Sequence, residues 1–364
     1  VDGAAAALEW ALGGYRFAAY RAPAEPGPAR LRATAADWAA AEPTASAVHL
    51  GRDLINTPAS DLGPAALEAA VAAMAARFGA EMSVVTGDAL LERNHPMIHA
   101  VGRAGPEAPR LIDLVWGPAD APKVTLVGKG VCFDTGGLDI KPARAMRLMK
   151  KDMGGAAAAI ALAWMAMASG LKARLRLLIP AVENSVGSAS FRPGDVLRSR
   201  KGLTVEIGDT DAEGRLVLAD AMAAADEEAP DLLIDLATLT GAARVALGAE
   251  IAPFYTDDPA LAAALETASA ETRDPLWRMP LWKPYAKDLS STVADLGNIS
   301  TSGFAGSVTA ALFLSRFVER AGAWAHFDIY AWNPKTRPGR PEGGEVHAAR
   351  ALHHLLRARY GTGA

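Results

Sequence analysis

From residue 64 to the C-terminus, apolar runs of strand length alternate with stretches of helix length. This alternation limits the fold more than any other feature of the 364-residue chain. It predicts a helix over 64–78 before a strand over 81–86, and a helix over 87–94 before a strand over 97–102. Strands over 111–116 and 123–128 come next, then a helix over 153–170 and a strand over 174–180. A strand over 203–207, a helix over 214–227 and a strand over 231–236 follow. The pattern closes with a helix over 306–321, a strand over 324–329 and a helix over 345–358. Strands joined through helices run parallel, and a parallel sheet needs both faces covered. The expected fold is therefore α/β, a mainly parallel central sheet sandwiched by helices. Ligands in such folds sit beyond the carboxyl ends of the strands, which brings the loops after residues 128, 180, 207 and 236 into view of one another.

Upstream of this pattern, a helix is expected over 35–54, and residues 56–64 read as a turn whose Pro64 opens the next helix. Residues 22–30, rich in Pro and Ala, read as a linker, and residues 8–20 as a remnant of another unit. The chain begins with Val1, so an upstream start is expected. Charged residues make up 21% and the net charge is −4, with Lys and Arg scattered among acids, so no footprint for nucleic acid or an anionic membrane is present. Cys132 is the single cysteine, which excludes an internal disulfide and a cysteine-rich zinc cluster and fits a reducing compartment. The longest small-residue apolar run, 155–169, falls short of the roughly 20 residues that span a bilayer and reads as a buried helix.

Three strand-end stretches carry groups that could do chemistry. The first, Gly128 to Pro142, follows an apolar strand and interleaves glycines with Lys129, Asp134, Asp139 and Lys141. A phosphate loop is a second reading of it, although the Gly-x4-Gly-Lys-Ser/Thr spacing is absent. The second contains Asp152 before Gly154 and Gly155. A helix-capping carboxylate is the plain reading, but glycines weaken a first helical turn and suit a backbone that crowds a site. The third, Gly208 to Leu216, holds Asp209, Asp211, Glu213 and Arg215, and Asp211 and Glu213 are spaced to point the same way along an extended loop. Four converging carboxylates, Asp134, Asp152, Asp211 and Glu213, would repel strongly, and two divalent cations would neutralise them. Oxygen ligands suit Mg²⁺ and Mn²⁺, with Zn²⁺ and Co²⁺ also open. None of the seven histidines lies in these stretches, so a histidine-built zinc site is not expected.

Together these stretches resemble the leucyl aminopeptidase family of cytosolic dinuclear metallopeptidases. Asp209 to Leu216 is similar to the family octapeptide Asn-Thr-Asp-Ala-Glu-Gly-Arg-Leu, changed at its first position. Weaker likeness runs from Arg52 to Pro58, through Asp235 to Gly241 and Ala294 to Asn298, to Ala325–Asp328. The resemblance implies a metal-dependent aminopeptidase that releases N-terminal residues from peptides, Leu-like or otherwise apolar. A metal-bridging water would attack, with bicarbonate as base. Lys129, Asp134, Asp152 and Glu213 would hold one metal, and Asp134, Asp211 and Glu213 the other, with Mn²⁺ or Zn²⁺ as the leading ions and Mg²⁺ or Co²⁺ as further ones. Lys141 would stabilise the developing oxyanion, and Arg215 would hold the bicarbonate. Met149, Thr238, Leu239 and Gly241 would line the substrate cleft. A cytoplasmic homohexamer, a dimer of trimers, is implied, with no nucleic-acid or membrane partner. Residues 41–364 would form the catalytic domain. Residues 1–40 would be a remnant and linker, the smaller N-terminal α/β domain of the family being truncated or missing.

Three departures stand out. Asp209 replaces a family Asn and adds a charge beside the ligands. The segment before residue 40 is short, and residues 339–347 depart from the family's usual Gly-rich ending, a region that shapes the pocket in relatives. The rival reading is a family member with a structural or DNA-binding regulatory role. The intact set of Lys129, Asp134, Lys141, Asp152, Asp211, Glu213 and Arg215 argues against it, as does the acidic balance.

Overall fold

The structure, a computed structural model, describes residues 2–21 and 29–363. Most of the expected linker, residues 22–28, lies outside the described residues. Helix α1 (Gly3–Gly14) is opened by Asp2, whose side chain accepts from the Ala4 and Ala5 amides. Helix α2 (Ala35–Asn56) starts at a reciprocal cap between Thr34 and Asp37, so a boundary at residue 40 falls inside it. Helix α3 (Pro64–Phe78) carries Pro64 at its first position and stops at Gly79, in the left-handed region at φ 65°.

Strand β1 (Glu81–Thr86) follows, then the single turn α4 (Ala89–Glu92) and helix α5 (Pro96–Gly102). The strand expected over 97–102 is thus a helix. A short buried apolar run suits either state, and two features, one local and one distant in sequence, decide it. Pro96 occupies the first helical turn, and the buried Asp220 carboxylate accepts the Met97 amide at 2.8 Å. Next come strands β2 (Arg110–Trp116), β3 (Lys123–Gly128) and β4 (Gly130–Asp134), the turn α6 (Ala143–Met146) and a 3₁₀ turn over Met149–Met153. They lead into α7 (Gly154–Ala168), β5 (Arg174–Asn184), β6 (Val196–Arg198), β7 (Thr204–Glu206) and α8 (Gly214–Asp226). Strand β8 (Leu232–Ala237), α9 (Gly241–Leu247), β9 (Ala252–Tyr255), α10 (Pro259–Thr272), β10 (Leu276–Arg278) and β11 (Leu296–Gly297) follow. Helix α11 (Gly306–Ser315), β12 (Trp324–Asp328), β13 (Trp332–Asn333), β14 (Gly343–Gly344) and α12 (Ala349–Tyr360) complete the chain.

The large sheet runs β1-β2-β5-β3-β8-β12-β9-β10, with β4 also paired to β5. Strands β5, β3, β8 and β12 are parallel, whereas β1 and β2 form an antiparallel edge and β9 runs against β12. The expected mainly parallel sheet is therefore its centre. Alternate residues of β8 feed two separate cores: Leu232, Ile234 and Leu236 pack on the side of α2, α3, α7 and α12, and Leu233 and Ala237 on the side of α5, α8 and α11. Helix α7 is buried on nearly its whole circumference, as its composition requires. Among the described residues, no helix is long and apolar enough to cross a membrane.

Further expectations change. The Gly-rich stretch after residue 128 is not all loop, because Gly130–Asp134 adds to β5 with an irregularity between Val131 and Phe133. Strand β7 belongs to a separate three-stranded sheet with β6 and β11, so the acidic stretch from 208 onward enters the site from the flank. Helix α11 stops at Ser315 and α12 starts at Ala349, later than the expected residue 345. The residues before α12 form a buried clasp. Arg52 of α2 donates to Leu12 O at 2.7 Å, Gly339 O at 2.9 Å and Glu345 Oε2 at 2.9 Å.

Candidate active site

The carboxyl ends of β3, β8 and β12 open into a cleft of about 980 Å³ whose lining includes Lys129, Asp134, Lys141, Asp152, Asp211 and Arg215. Lys129 follows β3 directly, and its amide bonds to Leu236 O of β8 at 3.0 Å. Asp134 ends β4, and its Oδ1 accepts from the Gly136 amide at 2.8 Å and from Asn184 Nδ2 at 2.9 Å. Asp152 sits in the 3₁₀ turn before α7 and does not cap that helix. Its Oδ1 accepts instead from Thr238 Oγ1 at 2.8 Å. The glycines behind it have the packing role their sequence position implied: a Cβ at Gly155 would lie 2.2 Å from Leu236 O. Across the cleft, Gly214 performs the same task, since a Cβ there would meet Lys129 Cε at 2.5 Å.

Asp134, Asp211 and Glu213 each offer an oxygen within 4.8 Å of the others. The same-side reading of Asp211 and Glu213 thus holds. Glu213 is buried, and among the described residues neither of its oxygens accepts a hydrogen bond; Asp152 Oδ2 accepts none either. The Lys129 ammonium lies 2.8 Å from Asp152 Oδ2 and 3.0 Å from Glu213 Oε1, close enough to pair charges, while its directed bond goes to Thr238 O at 3.0 Å. Lys141 stands 2.8 Å from Asp134 Oδ2 and also bonds Asp211.

Such crowding shows in the proton affinities. Burial, then the charge of Asp134, raises Glu213 well above the usual carboxylate range and pushes Asp211 up to about 7. Burial raises Asp152 as well. Burial opposes the charges of Lys129 and Lys141, but the surrounding carboxylates outweigh it and hold both amines above their ordinary value. Arg215 is pushed down to about 10 by burial. It donates to Asn298 O at 2.5 Å, while its buried Nε has no hydrogen-bond partner among the described residues.

All the expected residues therefore meet. Met149, Thr238, Leu239 and Gly241 line the same cleft, and Glu213 lies beneath it. No histidine lines it; His326 is instead a buried core residue bonded to Asp235 at 2.6 Å. Residues 339–347 do not line the cleft either, being taken up by the clasp. The phosphate-loop reading loses its donors, because the Gly136 and Gly137 amides are bonded to Asp134 and Thr135. Asp209 lines the cleft and accepts the Asp211 amide at 2.7 Å.

Sequence reasoning missed several supports. Asn184 joins Asp134 to Thr210 O, and Asp139 holds the Thr210 amide at 2.8 Å. Asn298 fastens the acidic loop through Gly208 and Asp209, a role foreshadowed only by the weak likeness at 294–298. Lys151, Arg244 and Tyr330 were also missed, although all three line the cleft. Burial pushes the Lys151 amine down to about 8, and Arg244 adds to that while Asp152 opposes it.

Comparison with known proteins bears on the family and the fold. Residues 49–353 match the catalytic domain of the cytosol aminopeptidase family. A probable cytosol aminopeptidase of Chlamydia trachomatis serovar L2 is 43% identical over 317 residues, covering 85% of this chain. The chain spans 63% of that relative's length. The crystal structure of a cytosol aminopeptidase from Coxiella burnetii superposes with a TM-score of 0.94 at 54% identity, covering 98% of this chain and 77% of that one. The bottromycin maturation enzyme BotP in complex with Mn superposes at 0.91 with 39% identity, covering 98% and 79%. Matched through the family's catalytic domain over residues 49–353, this chain belongs to the cytosol aminopeptidase family.

Proposed function

We propose that the protein is a metal-dependent aminopeptidase that releases N-terminal residues, Leu-like or otherwise apolar, from peptides. The observation that carries this reading is Glu213, a buried carboxylate with neither oxygen hydrogen-bonded, beside Asp134, Asp152 and Asp211. Buried acids are normally saturated with donors, so this donor set fits cations better than it fits a packed interior. Lys129, Asp134, Asp152 and Glu213 would hold one divalent ion, and Asp134, Asp211 and Glu213 the other, with the Asp211 backbone carbonyl as an added donor. Mn²⁺ or Zn²⁺ are the leading candidates, then Mg²⁺ and Co²⁺, and the relative in complex with Mn supports the first. When bound, such ions supply Lewis-acid activation of water and of the scissile carbonyl.

The chain's own groups do the rest. Lys129 joins the ligands only as a neutral amine, which requires cations to replace the carboxylate field that now raises it. Lys141, fixed between Asp134 and Asp211, would place its ammonium against the oxyanion that develops on the carbonyl. Arg215, which lines a cleft crowded by acids and has a buried Nε without a partner among the described residues, would recruit bicarbonate as the external base, since Asp134, Asp152, Asp211 and Glu213 would be committed to the ions. Met149, Thr238, Leu239 and Gly241 would hold the substrate. Asp209 takes its place by accepting the Asp211 amide, so its extra charge would act on the Arg215 anion more than on loop geometry. The cytoplasmic location, the homohexamer and the division into a 1–40 remnant and a 41–364 catalytic domain belong to the same reading. Light scattering tests the assembly. Hydrolysis of a Leu-anilide with and without Mn²⁺, run beside Asp134→Ala, tests the activity: metal-dependent turnover lost in the variant is expected, and absence of turnover in the metal-loaded protein would sink the proposal.

A further inference from the structure

The cleft holds a cationic wall that the metal chemistry does not use. Lys129 and Lys141 each face two carboxylates, and Lys150 donates to Asn56 O at 2.6 Å. Lys151 differs: the residue is only 6% exposed, yet among the described residues its ammonium has neither a hydrogen-bond acceptor nor a carboxylate within pairing distance. It rests on the Tyr330 ring, 4.7 Å from the centroid. Arg244 of α9 approaches the same ring from the cleft mouth at 5.2 Å and donates to Tyr330 Oη at 3.3 Å. Two like charges against one ring repel each other, and a ring face offers less than a carboxylate to a buried ammonium. The acid nearest in the chain, Asp152, is turned toward Thr238 and Lys129, and both Asp328 oxygens are taken by the Leu239 and Thr240 amides and the Thr240 hydroxyl.

The position of this wall indicates what it would meet. Tyr330 follows Ile329, whose amide bonds Ala237 O at 2.8 Å, so it stands beside Thr238 at the end of β8. Thr238 O holds the Lys129 ammonium. The wall therefore lies close to the Lys129 end of the site, in the same cleft lining as Met149, Leu239 and Gly241, which would seat the substrate's first side chain. Apolar residues of that lining suit methylene groups, and Lys151 with Arg244 adds positive charge to it.

We propose that Lys151 and Arg244 are specificity-determining residues that let the cleft accept, beside apolar side chains, one with a methylene stem ending in a carboxylate, so that glutamate is turned over in preference to glutamine, its neutral isostere. This rests on the aminopeptidase reading above. A charge-assisted contact predicts kcat/KM for Glu-anilide at least about tenfold above Gln-anilide in the Mn²⁺-loaded enzyme, with the difference carried mainly by KM. In Lys151→Met the Glu-to-Gln ratio falls toward unity. In Arg244→Gln, on an exposed helix face where folding is not at risk, it falls by a smaller factor. Anilides lack a terminal peptide carboxylate, so the ratio reports the side chain alone. Equal turnover of Glu- and Gln-anilide overturns the inference while leaving the aminopeptidase standing, as does a ratio unchanged in both variants. Absence of turnover on every anilide overturns the aminopeptidase reading itself.

Discussion

Two buried glutamates show how differently this chain treats interior charge. Glu345 ends the clasp, where its Oε2 accepts from Arg52 at 2.9 Å and Asn333 at 2.9 Å and its Oε1 accepts from the Val346 amide at 3.1 Å. Burial opposes its charge, but Arg52 and Arg340 outweigh that and hold it down at about 2. Glu213 is equally buried, accepts no hydrogen bond and is raised well above the usual range. The first acid is saturated and fastens α2 to the C-terminal segment. The second is kept unsaturated by neighbours that are themselves acids. Saturated charge marks scaffold, and crowded, donor-poor charge marks a place built for cations.

Replacing each residue separates the two roles. Glu213→Gln should reduce metal-dependent anilide turnover by on the order of a thousandfold or more, because it removes a ligand shared by both cation positions. In EDTA the same variant should be as stable as the parent or more so, since it relieves repulsion with Asp134 and Asp152 while Lys129 keeps Asp152 at 2.8 Å. Urea unfolding in EDTA and kinetics in Mn²⁺ check the pair. A large loss of stability in EDTA would make Glu213 a scaffold residue after all. Arg52→Met should do the reverse. Breaking a buried ion pair from one side strands Glu345 and costs about 3–5 kcal/mol. Turnover per folded molecule should hold, because no clasp residue lines the cleft.

The contrast also explains what was legible in the sequence. The central strands and α7 could be read because parallel strands and a fully buried helix leave continuous apolar runs, as in Leu232–Ala237. All the expected site residues converge because Asp211, Glu213 and Arg215 lie within one short stretch whose spacing is fixed by the turn into α8. Helix α5 was misread because its identity depends on Asp220, more than a hundred residues away. The clasp and the Lys151–Tyr330–Arg244 wall were invisible for the same reason: each joins residues whose meeting depends on tertiary packing, and none carries a local pattern. Strands β9 and β10, of four and three residues, are too short for an alternating pattern to announce them.

The two regions should also answer pH with opposite signs. In the clasp, Glu345 is depressed to about 2, and burial depresses His347 to about 4. A group depressed in the folded state contributes stability above its ordinary pKa and loses it as pH falls through the folded value. His347 therefore withdraws stability between pH 6.5 and about 4, and Glu345 between 4.5 and about 2, each worth up to roughly 3 kcal/mol. Asp211, raised to about 7 from 3.8, acts oppositely in EDTA: its contribution is present at low pH and lost as pH rises through that window. Urea midpoints at stepped pH in EDTA would resolve the slopes. The double variant Arg52→Met, Glu345→Gln should flatten the loss below pH 4.5, whereas Asp211→Asn should flatten the loss between pH 3.8 and 7. If the clasp variant left the acid slope unchanged, the saturated glutamate would not be what holds the clasp closed, and the distinction between the two buried acids would fail.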